Sequence, residues 1–470
     1  MRRDILRIFP LLCLTGGLCL APRTALAGDD AAKATQAAAP TKPSALENLE
    51  VQVETLDNGL TVVMNPDHSV PTVAIAVYYD VGSRNEVRGR SGFAHLFEHM
   101  MFQGSANVPK GEHFRLVENR GGSMNGTTNH DRTNYFETMP SNELALALWL
   151  EADRMKSLAV TQENFENQRQ VVMEERRQSY MNRPYALSSL RINELAFGDY
   201  WPYAHSTIGD MKDLENAPLS AVQEFFATYY TPKNATLSIA GDFEPKAALE
   251  LVKKFFGSIP SHDVPKFVDP GVAPQTAERT ESMVDPLADL PAFHIAYAIP
   301  PNRTPDHYAL EMLTLVLGYG ESSRLYQKLV KKLEICQDID VATDDRRGPD
   351  LFSFWAVLAD GKKAEDARKV IFEELDAIAK SGVTPRELEK AKNQIESLFV
   401  FGLQSNLSRA RQLAEYQTYW GDASLLRTEL AKYRSVTNDD IKRVTSKYFA
   451  PTNRTVLDVV PASAAKGGAQ

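Results

Sequence analysis

His95-Leu96-Phe97-Glu98-His99 is an H-x-x-E-H run set among apolar residues, with Phe93 and Ala94 before it and Met100, Met101 and Phe102 after it. On a helix the side chains at i and i+4 lie one above the other, so both imidazoles reach a single cation while the carboxylate at i+3 projects beside them. Two imidazole ligands and an adjacent base are what is needed to hold a divalent metal and take a proton from water, which is hydrolytic chemistry. Read instead as ordinary core residues, three ionisable groups would be buried among Leu and Phe, at a cost of several kcal/mol unless they are paired or bind metal.

A hydrolytic zinc site also requires a third protein ligand and one open position. Downstream, residues 164–177 read Asn-Phe-Glu-Asn-Gln-Arg-Gln-Val-Val-Met-Glu-Glu-Arg-Arg, with neither Pro nor Gly. That is a predicted helix presenting Glu174 and Glu175, of which only one can face the metal.

With these motifs the chain resembles the pitrilysin or insulinase-like peptidases, in which an inverted zinc motif is followed by a distant glutamate ligand on a second helix. Within that family it resembles the subfamily of the zinc-binding beta subunit of mitochondrial processing peptidase and its bacterial periplasmic relatives. That subfamily carries Arg-Asp-Val-Ile-Leu-Arg-Glu at the third ligand, and Arg169-Gln170-Val171-Val172-Met173-Glu174-Glu175 aligns with it in register. The resemblance implies one Zn²⁺ per chain on His95, His99 and Glu175, with Glu174 turned to solvent. It makes Glu98 the general base, which takes a proton from a water that zinc has acidified towards a pKa of ~7 and returns it to the leaving amine. Family members usually carry a further glutamate seven positions before the third ligand, where this chain has Gln168. Its expected part is a neutral hydrogen bond to a ligand.

The resemblance also implies that Gly121 to Thr128 forms the sheet edge beside the metal, with Asn125 and the backbone of Gly126, Thr127 and Thr128 contacting a peptide substrate. Main-chain pairing of that kind is tolerant of sequence. His130 and His205 are expected to be surface or hydrogen-bonded histidines, since a fourth protein ligand would close the water position. Active relatives carry, in a domain without zinc, an arginine and a tyrosine seven positions apart that stabilise the developing oxyanion. The matching positions here hold Val330 and Gln337, which supply neither cation nor phenol. The expected partner is therefore a homologous zinc-less chain bearing the Arg/Tyr pair in a heterodimer; the alternative is a homodimer in which Arg324 or Lys331 takes over.

Around this chemistry, the first 27 residues have the form of an export signal. Arg2, Arg3 and Arg7 are followed by an apolar stretch from Ile8 to Ala21 and by Ala25-Leu26-Ala27 before Gly28. Its 14-residue apolar stretch is too short to span a bilayer. Cleavage after Ala27 removes four Arg and one Asp, taking the net charge from −9 to −12, a balance unsuited to nucleic acid. No integral membrane segment is expected after cleavage, and localisation is expected to be periplasmic or otherwise exported. Of three cysteines only Cys336 would remain, so stability must come from a large core.

The chain also repeats itself. Tyr229-Tyr230-Thr231-Pro232-Lys233-Asn234 recurs at an offset of 219 as Tyr448-Phe449-Ala450-Pro451-Thr452-Asn453, each time with a helical pattern before it and an apolar strand after it. The repeat leads one to expect two homologous domains of about 220 residues, and the family resemblance implies an α+β fold, each domain a mostly antiparallel mixed sheet with helices on one face. The expected organisation is signal peptide 1–27, disordered tether 28–44, catalytic domain 45–257, link 258–281, homologous non-catalytic domain 282–463 and tail 464–470. The leading function is an exported zinc endopeptidase acting on unfolded peptides in a closed chamber. The alternatives are a catalytically silent core subunit of a larger complex and a zinc-containing peptide-binding module.

Overall fold

The computed structural model describes residues 48–463; the expected signal peptide, tether and tail lie outside the described residues. The first half runs β1 (Gln52–Thr55), β2 (Thr61–Pro66), β3 (Thr72–Tyr79), α1 (Phe93–Met100), α2 (Glu112–Glu118), β4 (Ser123–Thr128), β5 (Thr133–Pro140), α3 (Leu144–Ser157), α4 (Gln162–Arg176), α5 (Ala186–Phe197), α6 (Trp201–Ala204), α7 (Met211–Glu215), α8 (Leu219–Tyr229), β6 (Ala235–Gly241) and α9 (Pro245–Phe256). The second runs β7 (Arg279–Asp285), β8 (Ala292–Ile299), α10 (Pro305–Leu317), β9 (Cys336–Thr343), β10 (Asp350–Leu358), α11 (Ala364–Ser381), α12 (Pro385–Gly402), α13 (Asn406–Trp420), α14 (Glu429–Ser435), α15 (Asn438–Tyr448) and β11 (Arg454–Pro461).

The two sheets have the same order. The first is β1-β2-β6-β3-β5-β4 and the second β7-β11-β8-β10-β9, so each strand from β2 onward has a counterpart. In both, one pair is parallel (β2 with β6, β7 with β11) and the rest are antiparallel. The repeated Pro-x-Asn turns do the same work in each half. Asn234 Nδ2 donates to the Tyr229 carbonyl at 3.0 Å and Asn453 Nδ2 to that of Tyr448 at 2.7 Å, each tying the end of a helix to the strand that follows. Strand β7 begins at Arg279, three residues inside the 258–281 segment expected as a link.

Both sheets are buried on both faces, which explains why β3 (TVAIAVYY) and β8 (AFHIAYAI) are apolar almost throughout instead of alternating. Val73, Ile75, Val77 and Tyr79 pack under the helices of their own half. The opposite face, Ala74, Ala76 and Ala240, is covered by Ala410 and Ala414 of α13, a helix of the other half, and small residues on both sides let the helix lie close. The exchange is reciprocal. α5 packs Ile192 and Phe197 on Ala296, Leu351 and Leu457 of the second sheet. Polar contacts fix it: Arg409 Nη2 reaches Asp67 Oδ2 at 2.5 Å, and Arg191 makes a two-pronged pair with Glu281 at 2.8 and 2.6 Å.

Candidate metal and peptidase site

The helix α1 is held by its apolar side. Phe97 is fully buried against Phe226 and Tyr230, with ring centroids 5.4 and 4.2 Å away, and Leu96 and Met100 are buried beside it. Its N-terminus is fixed by Glu86, whose carboxylate accepts from the backbone N–H groups of Gly92 (2.9 Å) and Ala94 (2.8 Å), donors that a helix start leaves without intrahelical partners. Gly92 has φ 87°, and a methyl group there would lie 2.8 Å from Gly209 Cα, so both backbone conformation and space demand glycine. The second helix, α4, starts at Thr161, whose hydroxyl accepts from Asn164 N–H at 3.2 Å, and Asn164 Nδ2 donates to the Gln103 carbonyl just beyond α1. At its other end α4 continues as a short π-helix, Arg177–Met181.

These two helices bring together His95, His99 and Glu175. Glu175 Oε2 lies 3.4 Å from His99 Nε2 and 3.7 Å from His95 Nε2, and the three ligand atoms all lie within 4.8 Å of one another. Bonds of about 2.1 Å to a tetrahedral Zn²⁺ put ligand atoms about 3.4 Å apart, so the set fits the ion with little movement. Glu174, the other candidate, faces away and accepts from Gln178 Nε2 at 2.9 Å and Arg177 Nη1 at 3.3 Å. Burial pushes the His95 imidazolium down to about 4, helped by the charge of His99, so its ring is neutral and available as a ligand. Burial also opposes charge on His99, but the hydrogen bond to Glu175 and the nearby carboxylates outweigh it and raise its pKa. The His99 hydrogen bond holds the Glu175 carboxyl below the usual range. Gln168 is buried, its Nε2 donates to Asn167 Oδ1 at 2.8 Å, and its side chain adds to the raising of the His99 pKa, as a neutral group beside that ring.

Glu98 is buried beside them. Thr128 Oγ1 donates to its Oε2 at 2.6 Å, which fixes the carboxylate, and burial raises its pKa against the opposing effect of that hydrogen bond. A methyl group on Gly126 would lie 3.2 Å from Glu98 Cγ and 3.1 Å from Tyr135 Cδ1, so glycine leaves the room the carboxylate occupies. Strand β4 is the last strand of its sheet, paired only with β5, and so presents a free edge among the described residues. The Thr127 hydroxyl is engaged with Asn134 and Arg132, and the exposed Asn125 accepts from Gly126 N–H at 2.8 Å. Part of the strand's backbone is engaged as well: the Gly126 N–H is the one that Asn125 takes, and the Thr127 carbonyl accepts from Arg132 Nη1 at 2.7 Å.

Other expectations resolve as geometry. His205 is buried, its Nε2 3.0 Å from Glu86 Oε2 and its ring stacked on Trp201, so it supports the α1 cap and lies outside the ligand set. His130 packs edge-on against Tyr203, and Tyr135 is buried with its hydroxyl 3.2 Å from that of Tyr230. Arg324 is taken up by Glu387, at 2.6 and 2.7 Å, and by Glu374. The Glu86–His205–Trp201 support carries no spacing signal in the sequence; only the buried Gly92 N–H asks for it.

Two family profiles match the chain: "Insulinase (Peptidase family M16)" over residues 61–198 and "Peptidase M16 inactive domain" over 217–395. The zinc protease PqqE of Helicobacter pylori is 32% identical over 410 residues, covering 87% of this chain and 92% of that protein. The chain belongs to the insulinase family of peptidases. A crystal structure of a protease from Helicobacter pylori superimposes on this M16 protein with a TM-score of 0.83 and 32% identity, over 88% of this chain and all of that one. A probable mitochondrial-processing peptidase subunit beta of Arabidopsis thaliana is 24% identical over 423 residues, 88% of this chain and 78% of that protein. The first profile contains His95, Glu98, His99 and Glu175; the second begins after all of them.

Proposed function

We propose that the protein is an exported zinc endopeptidase that hydrolyses unfolded peptides. The observation that carries this is the convergence of His95, His99 and Glu175 within 4.8 Å, with the buried Glu98 held by Thr128 beside them. Zinc bound by these three residues would acidify a water and polarise the scissile carbonyl. Glu98 receives the proton, its raised pKa bringing it nearer to neutral pH, and returns it to the leaving amine. A substrate strand lying along the free edge of β4 is positioned by main-chain hydrogen bonds, with its side chains tested in turn. The sequence of residues 1–27 supports export, and among the described residues no helix is long and apolar enough to cross a membrane.

The oxyanion donor is the missing part. Val330 is packed against the second core, Gln337 is a neutral amide, and Arg324 is committed to Glu387. We infer that a homologous zinc-less chain supplies an Arg/Tyr pair and closes on this one in a heterodimer. The test is turnover of a quenched peptide library with zinc content measured on the same sample, for this chain alone and after adding such a homologue. Cleavage that appears only in the mixture supports the two-chain form. Full activity of the zinc-loaded chain alone overturns it and favours the homodimer.

A further inference from the structure

A second set of metal-type ligands lies in the half that lacks the H-x-x-E-H motif. Helix α10 carries His307 and Glu311 at i and i+4, and the turn between β9 and β10 brings up Asp345. One ring nitrogen of His307 and one oxygen each of Glu311 and Asp345 lie within 4.8 Å of one another. His307 and Glu311 are buried, and Asp345 stands at the more open side. Asp345 has φ 58°, a left-handed conformation that a residue with a side chain holds at a cost of about 1 kcal/mol or more and that recurs at ligand clamps.

Counted as ionised, the carboxylates around this cluster outnumber the cations. Arg346 meets Asp350 at 2.9 Å and Asp344 at 2.8 Å, and Arg303 meets Glu429 at 2.6 Å. Glu311 and Asp345 make no ion pair with any arginine or lysine among the described residues; Glu311 has the Tyr433 hydroxyl, and Asp345 has the Thr343 hydroxyl at 3.4 Å and Nε2 of His307 at 3.8 Å. Two carboxylates at a largely buried site are costly unless protonated or bound to a cation. The histidine is prepared in the same sense. Asp350 accepts from Arg346 Nη1 at 2.9 Å, and its Oδ2 lies 3.1 Å from His307 Nε2. The other ring nitrogen, Nδ1, is buried with no hydrogen-bond partner among the described residues. A carboxylate that orients an imidazole in this way is the usual support of a metal-binding histidine.

We propose that His307, Glu311 and Asp345 bind one divalent first-row transition-metal cation, at a site separate from His95, His99 and Glu175. A charge of +2 cancels the two unmatched carboxylates, and the nitrogen-and-oxygen donor set suits Zn²⁺ or Mn²⁺. The turn that supplies Asp345 also grips the first half: Arg347 N–H donates to Asp131 Oδ2 at 3.1 Å and Gly348 N–H to the Tyr203 hydroxyl at 2.9 Å. Asp131 is three residues beyond Thr128, so a cation on Asp345 would stiffen the contact by which the second half holds the end of β4.

The test uses the full chain carrying His95→Ala and His99→Ala, so that the first site cannot contribute, stripped with EDTA and titrated with ZnCl2 or MnCl2. One equivalent should bind, and Tm should rise by about 3 °C at a hundredfold excess over Kd. Adding Asp345→Asn, which suits a left-handed backbone and keeps the size, should abolish both effects without lowering the metal-free Tm. In the otherwise native chain, metal content should fall from two equivalents to one on Asp345→Asn, which keeps the test independent of the double alanine variant. Failure of both metals to bind the stripped chain, or binding that survives both Asp345→Asn and Glu311→Gln, would overturn the proposal.

Discussion

Glu174 and Glu175 are neighbours in sequence with opposite surroundings: one faces solvent beside Arg177 and Gln178, the other faces two imidazoles. Glu175→Gln is therefore expected to weaken zinc binding by about 10-fold or more, and Glu174→Gln to leave it unchanged, as read by competition with a chelator; equal loss in both would reverse the assignment. Gly126→Ala is the companion test. Its backbone tolerates alanine, but the added methyl crowds Glu98 Cγ at 3.2 Å, so kcat should fall well beyond any change in stability, whereas unchanged turnover would remove Gly126 from the site. Periodicity and spacing in the sequence pointed to His95, Glu98 and His99, and the choice of Glu175 needed the family register. The Thr128 hydroxyl on Glu98 was not legible, because a hydrogen bond across thirty residues leaves no local pattern.

At the scale of elements, α1 depends on a cap that comes from outside it. Glu86→Ala would leave the N–H groups of Gly92 and Ala94 and the His205 ring without their acceptor. A loss of about 2 kcal/mol or more is expected in urea unfolding, together with weaker zinc binding; a loss under about 0.5 kcal/mol would contradict the role given to Glu86. In α10, burial pushes Glu311 up to about 7, well above the 4.5 of an exposed glutamate. The folded state thus holds a proton that the unfolded chain releases, so this contribution is present below pH 4.5 and lost as pH rises through about 7. In EDTA-treated protein, Tm should fall from pH 5 to pH 8, and Glu311→Gln should flatten that decline; an unchanged slope would contradict it. The helices around His95–His99 and Glu175 followed from sequence patterns and the edge strand at Gly121 to Thr128 from the family resemblance, but the support of α1 by Glu86 and Gly209 did not, since the contacts join distant segments.

Across the whole molecule, the 219-residue repeat was legible and corresponds to two sheets of one strand order. The exchange of α5 and α13 between the halves was not, because an amphipathic helix does not declare which sheet it covers. Ala410 and Ala414 look like unremarkable helix formers until Ala74, Ala76 and Ala240 lie beneath them. Replacing both Ala410 and Ala414 with Leu should overfill this contact and cost several kcal/mol in stability, whereas a tolerated double variant would show that the packing is loose. The exchange also makes the halves one unit, so the residues proposed to hold zinc and the edge strand beside them are positioned by the entire chain. The claim that joins these scales is that Glu98 acts on water beside a zinc held by His95, His99 and Glu175. It is tested by hydrolysis of a quenched peptide library and zinc content, measured together on native chain and Glu98→Gln, with and without the homologous zinc-less chain. The account predicts about one zinc bound by this site in both, cleavage by the native chain in at least one arm, and a loss of about 10²-fold or more in Glu98→Gln. Loss of that zinc in Glu98→Gln, cleavage undiminished by it, or no cleavage by the zinc-loaded native chain in either arm would contradict it.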